Sequence, residues 1–396
     1  MNILKRRECG RVAGAAGWLL VYGRRKVGKT FTLRNCARYD LYITVTRSGE
    51  ALIGDDLWRL DEALREVVKT LKRGGSAVVD EFQRVPERYW DLVASAHPHG
   101  SLIISGSSFG MLRKIFDSRS PLLGLFDVYK MGLIKYADAL AQLRDFQKAA
   151  LWRDPWTISI VAHPREAEEK IYALYMSAMG LIGEVFTEEE RTITKLYQVV
   201  LSALAEGEWN SAVVANYAAA RGLDVTASTA SAYLNRLVEM GLVEKIPIYG
   251  SKRSYHRISS TPLRLALYAE AKYHISEGRA PGPLPWGVEL QFNIGELLAE
   301  AKGGQLAYLS HGDIDAVVIT AEGAVGYEIK TGPISRQEAR RAVEKIRRAG
   351  LPRAGLVSLA EEPPRDVADE AYGPQQLVEM AQSIFKTFTH GNFYQH

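Results

Sequence analysis

Cysteine is almost absent from this chain: Cys9 and Cys36 are the only two in 396 residues. Two are too few for a disulfide framework or a four-ligand zinc site, which points to a reducing cytosol. Net charge is scarce as well. Fifty lysines and arginines against forty-six aspartates and glutamates leave +4, so affinity for nucleic acid has to come from local patches. No apolar run reaches the ~20 residues that a membrane helix needs. The segment after Lys5-Arg6-Arg7 has the outline of a signal peptide. Glycines break its apolar part, however, and it runs into a glycine-rich loop that cleavage would destroy. The expectation is a soluble, cytoplasmic protein with no membrane partner, too long for a single core.

What is present begins with Gly23-x-x-x-x-Gly28-Lys29-Thr30, entered from the short apolar run Trp18–Tyr22. The run suits a buried parallel strand and is too short for a helix. The glycines let Gly23, Arg24, Arg25, Lys26, Val27, Gly28, Lys29, Thr30 and Phe31 curl into a nest of backbone N–H groups for ATP phosphates. Lys29 adds a mobile cation, and Thr30 offers a hydroxyl to Mg²⁺. A helix from Lys29 to about Arg38 turns its positive end toward the same place. A glycine-rich turn that merely carries a lysine would not need strand, spacing, Lys-Thr and helix together.

Leu41–Thr46 alternates like a strand, and Leu57–Leu71 repeats apolar residues at helical spacing. Ala77–Gln83 is then a buried strand ending in Asp80 and Glu81. Carboxylates at the end of a parallel strand lie at the crevice where such sheets bind ligands. Asp80 is expected to hold Mg²⁺ through water, and Glu81 to orient or deprotonate the attacking water. Leu102–Ser108 is a further strand whose polar tip meets the terminal phosphate, through Ser107 or, alternatively, Ser105. Its predicted place is between the loop strand and the acidic strand, the layout of P-loop ATPases with an additional strand and a catalytic glutamate. Ras-type GTPases are laid out differently. Phe126–Ile134 supplies a fifth strand.

Tyr22–Thr30, Val79-Asp-Glu-Phe-Gln83, Ile104-Ser-Gly-Ser-Ser108 and Ser120-Pro-Leu-Leu-Gly124 resemble the archaeal ATPase family with a DExx-type acidic motif, a relative of AAA+ and STAND ATPases. Two positions depart from that pattern. Arg24 stands where the family has proline, and Leu125 where it carries an arginine, with Arg119 nearby in sequence.

Downstream, residues 136–190 read as a mostly helical lid or connector with no chemistry of its own, interrupted at Trp152–Trp156. Residues 191–275 have the pattern of a winged helix-turn-helix, and the family resemblance implies one here too. Its helices span Leu196–Ala205, Val213–Ala220 and a stretch capped by Ser228, and its two strands flank Gly250-Ser-Lys-Arg253. For DNA, Thr229, Asn235 and Arg236 are the candidate major-groove residues; Lys252, Arg253, His256 and Arg257 are the candidate phosphate contacts. A rigid connector or protein-contact module explains the pattern equally well.

Residues 276–287 form a Pro/Gly-rich linker. Over 288–360 the order is helix, three strands, helix, strand, the core of restriction-endonuclease-like folds. The first helix runs from about Glu289 to Ala301. The strands are Leu306–Leu309, Asp313–Ile319 and Ala324–Lys330, and Ser335 with Glu338 makes a capping box for the next helix. Asp315, then Glu328-x-Lys330, matches the nuclease pattern. Asp315 and Glu328 would share Mg²⁺, Lys330 would position a hydroxide, and Glu296 is a candidate third carboxylate. The region resembles the family's C-terminal domain, known as DUF234, without the proline that usually precedes the aspartate. Residues 361–396 add a charged tail and a helix near Gln376–Phe388.

The sequence therefore predicts a multidomain α/β protein with three folded parts. Residues 1–135 are a P-loop NTPase core, followed by the winged helix and the nuclease-like domain. Its expected work is ATP hydrolysis coupled to DNA binding and metal-dependent cleavage, in defence, mobile-element or genome maintenance. The alternative is an ATP-controlled switch that binds DNA or protein, with a silent nuclease-like domain. A homo-oligomer or protein partner fits either.

Overall fold

The computed structural model describes residues 3–107, 109–189, 191–309 and 314–389. Its N-terminal sheet contains β1 (Trp18–Tyr22), β2 (Leu41–Val45), β3 (Ala51–Ile53), β4 (Asp56–Trp58), β5 (Ser76–Asp80), β6 (Ser101–Gly106) and β7 (Asp127–Lys130). The order is β4-β3-β2-β5-β6-β1-β7. The five strands from β2 to β7 along this order run parallel, while β3 and β4 fold back antiparallel at the edge. β6 pairs Leu102 with both Trp18 of β1 and Ala77 of β5, so it lies between the loop strand and the acidic strand. Leu20, Val21, Val78, Val79 and Ile104 have no exposed surface. Helices cover both faces of such a sheet, which is why its strands read as unbroken apolar runs.

Three expectations shift here. Leu57 belongs to β4 and is 57% exposed, because Gly54 and Asp55 turn the chain into a hairpin before the helix Leu60–Lys72 begins. Leu60, Leu64, Val67, Val68 and Leu71 then bury the helical stripe. The strand expected to reach Ser108 ends at Gly106, and Ser108 lies outside the described residues. Finally, Cys9 and Cys36 form a disulfide joining the helix Glu8–Ala13 to the loop helix Lys29–Cys36, with Cα atoms 5.3 Å apart. The cysteine count therefore gives no support to a reducing compartment.

The helices Tyr136–Leu143, Phe146–Trp152, Glu166–Glu169 and Ile171–Glu188 follow. Next come Lys195–Glu206, Ser211–Ala219 and Ala227–Glu239, then the antiparallel hairpin β8 (Val243–Pro247) and β9 (Ser254–Ile258). The third helix is capped by Thr226, whose hydroxyl accepts from Thr229 N–H, and not by Ser228. Helix Thr261–Tyr273 packs along Ile171–Glu188.

The C-terminal sheet, reached through helix Trp286–Ala301, holds β10 (Gln305–Ala307), β11 (Ala316–Thr320), β12 (Gly323–Lys330), β13 (Arg353–Ser358) and β14 (Glu370–Tyr372), side by side in that order. β10, β11 and β12 are antiparallel neighbours, and β13 and β14 continue parallel to β12. The second expected strand begins at Ala316, and Asp313, its expected start, lies outside the described residues. The capping box opens helix Arg336–Arg348 as expected.

The last helix, Pro374–Thr389, is not a loose appendage. It buries Leu377 and Ala381 and packs against Tyr136–Leu143. Along the hairpin, Tyr249 N–H donates to the Tyr308 carbonyl and Tyr308 N–H to that of Pro247, tying β8 to the C-terminal part. Trp209, Tyr255, Phe292 and Tyr308 stack into one aromatic cluster across that junction. Among the described residues no helix is long and apolar enough to cross a membrane.

Candidate functional site

The ends of β1, β5 and β6 converge on the glycine-rich loop. Gly28 holds φ at +94°, a conformation open to glycine, and so turns the chain into the helix at Lys29. Gly23 is required for space: a Cβ there would lie 2.0 Å from the Met131 carbonyl oxygen. Lys26 is exposed and also has positive φ, at 64°. Val27 is buried, its carbonyl accepting from Arg6, while Phe31 is 38% exposed on the loop helix. Lys29 is buried beneath the loop, with Nζ donating to the Gly23 carbonyl at 2.8 Å and the Arg24 carbonyl at 3.1 Å. Burial pulls its pKa down to about 8, opposed by the charges of Glu81, Glu188 and Asp80.

Asp80 is buried and fully engaged. Oδ2 accepts from Thr30 Oγ1 at 2.7 Å and from the Tyr42 hydroxyl at 2.9 Å, and Oδ1 accepts from Glu81 N–H and Ser105. Ser105 is thereby committed to the acidic strand. Ser107 instead faces the cleft, accepting from Gln83 Nε2 at 3.0 Å and donating to Glu188. Glu81 takes φ +61°, which swings its side chain out of the strand line. There its Oε2 meets Gln83 at 2.8 Å, Arg84 at 3.0 Å and Arg25 at 3.3 Å.

The two loop arginines do not face the space above the loop freely. Arg24 is buried and donates to Asp154 at 2.6 Å, behind the loop. Arg25 donates to Glu184 at 2.8 Å and to Glu188 at 2.7 Å, both on helix Ile171–Glu188. Residues 136–190, expected to carry no chemistry, thus supply Asp154, Glu184 and Glu188 to the surroundings of the loop. Sequence reasoning missed them, together with Tyr42, because each meets the loop only through the fold.

In the C-terminal sheet, Ala316 pairs with Tyr327, which sets Asp315 opposite Glu328. Asp315 accepts from Gln291 Nε2 at 2.8 Å and from Ile329 N–H at 2.7 Å. Burial, reinforced by Glu328, pushes its pKa up to about 6. Glu328 is buried and paired with Lys345 at 2.7 Å and Lys330 at 3.3 Å. With Ile334, Glu338, Arg341 and Ala342 these groups line a cleft of 170 Å³. Lys345 was not foreseen; it lies on helix Arg336–Arg348, which the capping box opens.

Glu296 does not join this pair. Its carboxylate binds Arg153 at 2.8 Å on the side of helix Trp286–Ala301 that meets Phe146–Trp152, whereas Gln291 is the helix residue that reaches Asp315. Five residues of α-helix turn a side chain by ~140°, so the helix that delivers Gln291 carries Glu296 away. Among the described residues no three His, Cys, Asp or Glu side chains are grouped to hold an ion. The three-carboxylate shell is therefore not assembled.

On the three-helix unit, Thr229, Asn235 and Arg236 are exposed, as are Lys252 and Arg253 at the hairpin turn. Arg257 is not: it is buried between Glu289 at 2.9 Å and Glu244 at 3.2 Å. His256 is partly buried against the Trp209 carbonyl, and burial lowers its pKa. Alternation along β9 turns Arg257 inward, which the sequence alone did not distinguish from the exposed turn.

No protein-family model and no curated protein matches the sequence. Among solved structures, a Walker-type ATPase of Pyrococcus abyssi aligns at 18% identity, covering 67% of this chain and 96% of that one, with a TM-score of 0.48. The Aeropyrum pernix ORC2 protein in its ADPNP–ADP complexes aligns at 15% identity over 67% of this chain and 90% of that one, with a TM-score of 0.35. The Aeropyrum pernix ORC1 protein in complex with DNA aligns at 14% identity over 70% of this chain and 95% of that one, with a TM-score of 0.30. Likeness at this level assigns neither ligand nor reaction to the present chain.

Proposed function

We propose that this chain binds ATP with Mg²⁺ on the Gly23–Thr30 loop, hydrolyses it, and uses the cycle to control binding of DNA. One observation carries the reading: buried Lys29, the Thr30–Asp80 bond and the Glu81–Gln83–Ser107 chain meet at the ends of three adjacent parallel strands. The loop N–H groups and the start of helix Lys29–Cys36 give fixed positive ends for phosphates, and Lys29 adds the full charge. Thr30 and Asp80 offer the oxygen donors that suit Mg²⁺, and the ion when bound would offset phosphate charge. Glu81 is the base: its carboxylate takes the proton of the attacking water, while Gln83 and Ser107 fix the position of that water.

The DNA-binding part of the proposal rests on exposed Thr229, Asn235, Arg236, Lys252 and Arg253 of a winged helix, and on Arg340 and Arg341 in the C-terminal part. Lys330, Arg341 and Lys345 around the small cleft suit a phosphate group. Metal-dependent cleavage is a second reading, favoured by the placement of Asp315 opposite Glu328 with Lys330 two residues on. The pairing of Glu328 with two lysines favours the first reading, in which the nuclease-like unit binds without cutting.

The test measures ATP binding and phosphate release by the full chain, with and without duplex DNA. Lys29→Ala should lose binding, and Glu81→Gln should bind ATP but turn over at least ~100-fold more slowly. Near wild-type ATP affinity in Lys29→Ala would overturn the site assignment.

A further inference from the structure

Helix Ile171–Glu188 points its C-terminal end at the phosphate loop, and carboxylates crowd that end: Glu184, Glu188 and the adjoining Glu189. A negative side chain at a helix C-terminus is unfavourable, because the helix dipole is already negative there. Each carboxylate is held in place by the nucleotide-binding part. Arg25 donates to Glu184 at 2.8 Å and to one oxygen of Glu188 at 2.7 Å. Ser107 donates to the other oxygen of Glu188. Glu189 accepts from the N–H groups of Phe109 at 2.5 Å and Gly110 at 3.1 Å. Glu188 is also near enough to Lys29 for its charge to raise the proton affinity of that ammonium. A loop arginine, a buried lysine and a serine hydroxyl make a seat for one compact anion. In this structure the protein fills that seat with its own carboxylate.

We propose that Glu188, backed by Glu184, stands in for the terminal phosphate of the nucleotide and must be displaced when a nucleoside triphosphate binds. This rests on the nucleotide-binding reading above. A diphosphate lacks the group that competes for the seat and leaves the contact closed. Displacement frees the end of helix Ile171–Glu188, which packs along helix Thr261–Tyr273. The latter helix begins at Ser260, whose hydroxyl caps it and also donates to Asp154, the partner of Arg24. Neighbouring loop residues therefore bear on two packed helices, Arg25 directly at the end of one and Arg24, through Asp154, at the cap of the other. Loss of the Arg25 contacts is delivered to the helix that directly follows the β8–β9 hairpin. Triphosphate occupancy is in this way read by the part proposed to bind DNA.

The experiment titrates the full chain with a fluorescent non-hydrolysable ATP analogue and with fluorescent ADP. It compares wild type, Glu188→Ala, Glu188→Gln and Glu184→Ala. Both Glu188 variants should bind the triphosphate about tenfold more tightly, the scale of an ordinary coupling free energy, with a smaller change for ADP. In the wild type, amide hydrogen exchange across residues 180–188 should rise with the triphosphate and not with ADP. Glu188 variants that bind the triphosphate no better than wild type would overturn the proposal, as would exchange that responds equally to both nucleotides. A wild type that binds neither nucleotide would overturn the nucleotide reading itself. Binding of both nucleotides with unaltered affinity in the Glu188 variants would overturn the displacement alone.

Discussion

Arg24 and Asp154 are 130 residues apart in sequence and 2.6 Å apart in the fold, both shielded from water. The pair joins the second residue of the glycine-rich loop to the short turn before helix Pro155–Thr157, and Ser260 adds a third member at 2.6 Å from the same carboxylate. Among the described residues, one nitrogen of Arg24 and one oxygen of Asp154 have no hydrogen-bond partner. This bridge is tense as well as strong, because buried charges lose hydration that a single pairing replaces only in part.

Removing one member should therefore be worse than removing both. Arg24→Ala leaves Asp154 buried without its cation and should destabilise the chain by about 3 kcal/mol or more. Arg24→Met combined with Asp154→Leu should recover most of that loss. Urea unfolding of the full chain checks it, and equal stabilities for the single and double variants would show that the stranded Asp154 carboxylate carries no extra cost, which would overturn the prediction.

Lys29 sets a pH dependence. Its pKa is lowered to about 8 by burial, so in the nucleotide-free protein it loses its proton as pH rises through that value. Phosphates require the charged form, so affinity for ATP should fall above pH 8 by up to about tenfold per unit. Lys29→Arg keeps its charge throughout and should bind with a flat profile over the same range. Titrations with a fluorescent nucleotide on either side of pH 8 decide the matter.

Reversing charge at Lys252 and Arg253 should weaken binding to DNA of any sequence and reduce its salt slope by roughly one unit per lost phosphate contact. Fluorescence anisotropy at several salt concentrations measures it. An unchanged slope would favour a connector role for the three helices and the β8–β9 hairpin. Arg257→Glu should act differently: it puts a second carboxylate beside buried Glu289 and lowers stability before it touches DNA.

Asp315 contributes its own signature. Its pKa is raised by burial, from 3.8 to about 6, so between those values the folded chain holds a proton that the unfolded chain has released. Its contribution to stability is thus present at the acid end and is lost as pH rises through about 6. Asp315→Asn should flatten that part of the stability profile, as read by thermal unfolding.

If the C-terminal sheet cuts DNA with a divalent metal, Asp315→Ala and Glu328→Ala should each abolish cutting while ATP turnover persists. Lys330→Ala should impair cutting and spare metal binding. Plasmid and branched-DNA assays with Mg²⁺ and Mn²⁺ test this, and cutting that survives in Asp315→Ala would reject the pair as its source.

Much of the order of elements was legible in the chain. The run Trp18–Tyr22, the spacing Gly23 to Thr30 and the Asp80-Glu81 ending declare themselves because strand burial and the backbone conformation of a tight strand-to-helix loop constrain neighbouring residues. The Ser335–Glu338 capping box was legible for the same reason. Leu57 misled, since its apolar character suits helix and strand alike, and only the turn at Gly54–Asp55 assigned it to an edge hairpin. Glu296 misled more deeply, because which face of a helix meets a site depends on how that helix packs.

Local structure, then, was determined by the sequence itself: the glycine-rich loop between strand and helix, the carboxylates at a strand end, the caps and the apolar periods. Tertiary structure alone decided the partners. It brought Asp154 behind Arg24, Glu188 in front of Arg25, Lys345 to Glu328 and Arg257 into the interior. Backbone conformation and burial follow from neighbours a few residues away, whereas the pairing of charges depends on which surfaces the packed helices bring together. A carboxylate reads the same in a sequence whether it meets solvent, an arginine or a phosphate; its position in the fold selects among them.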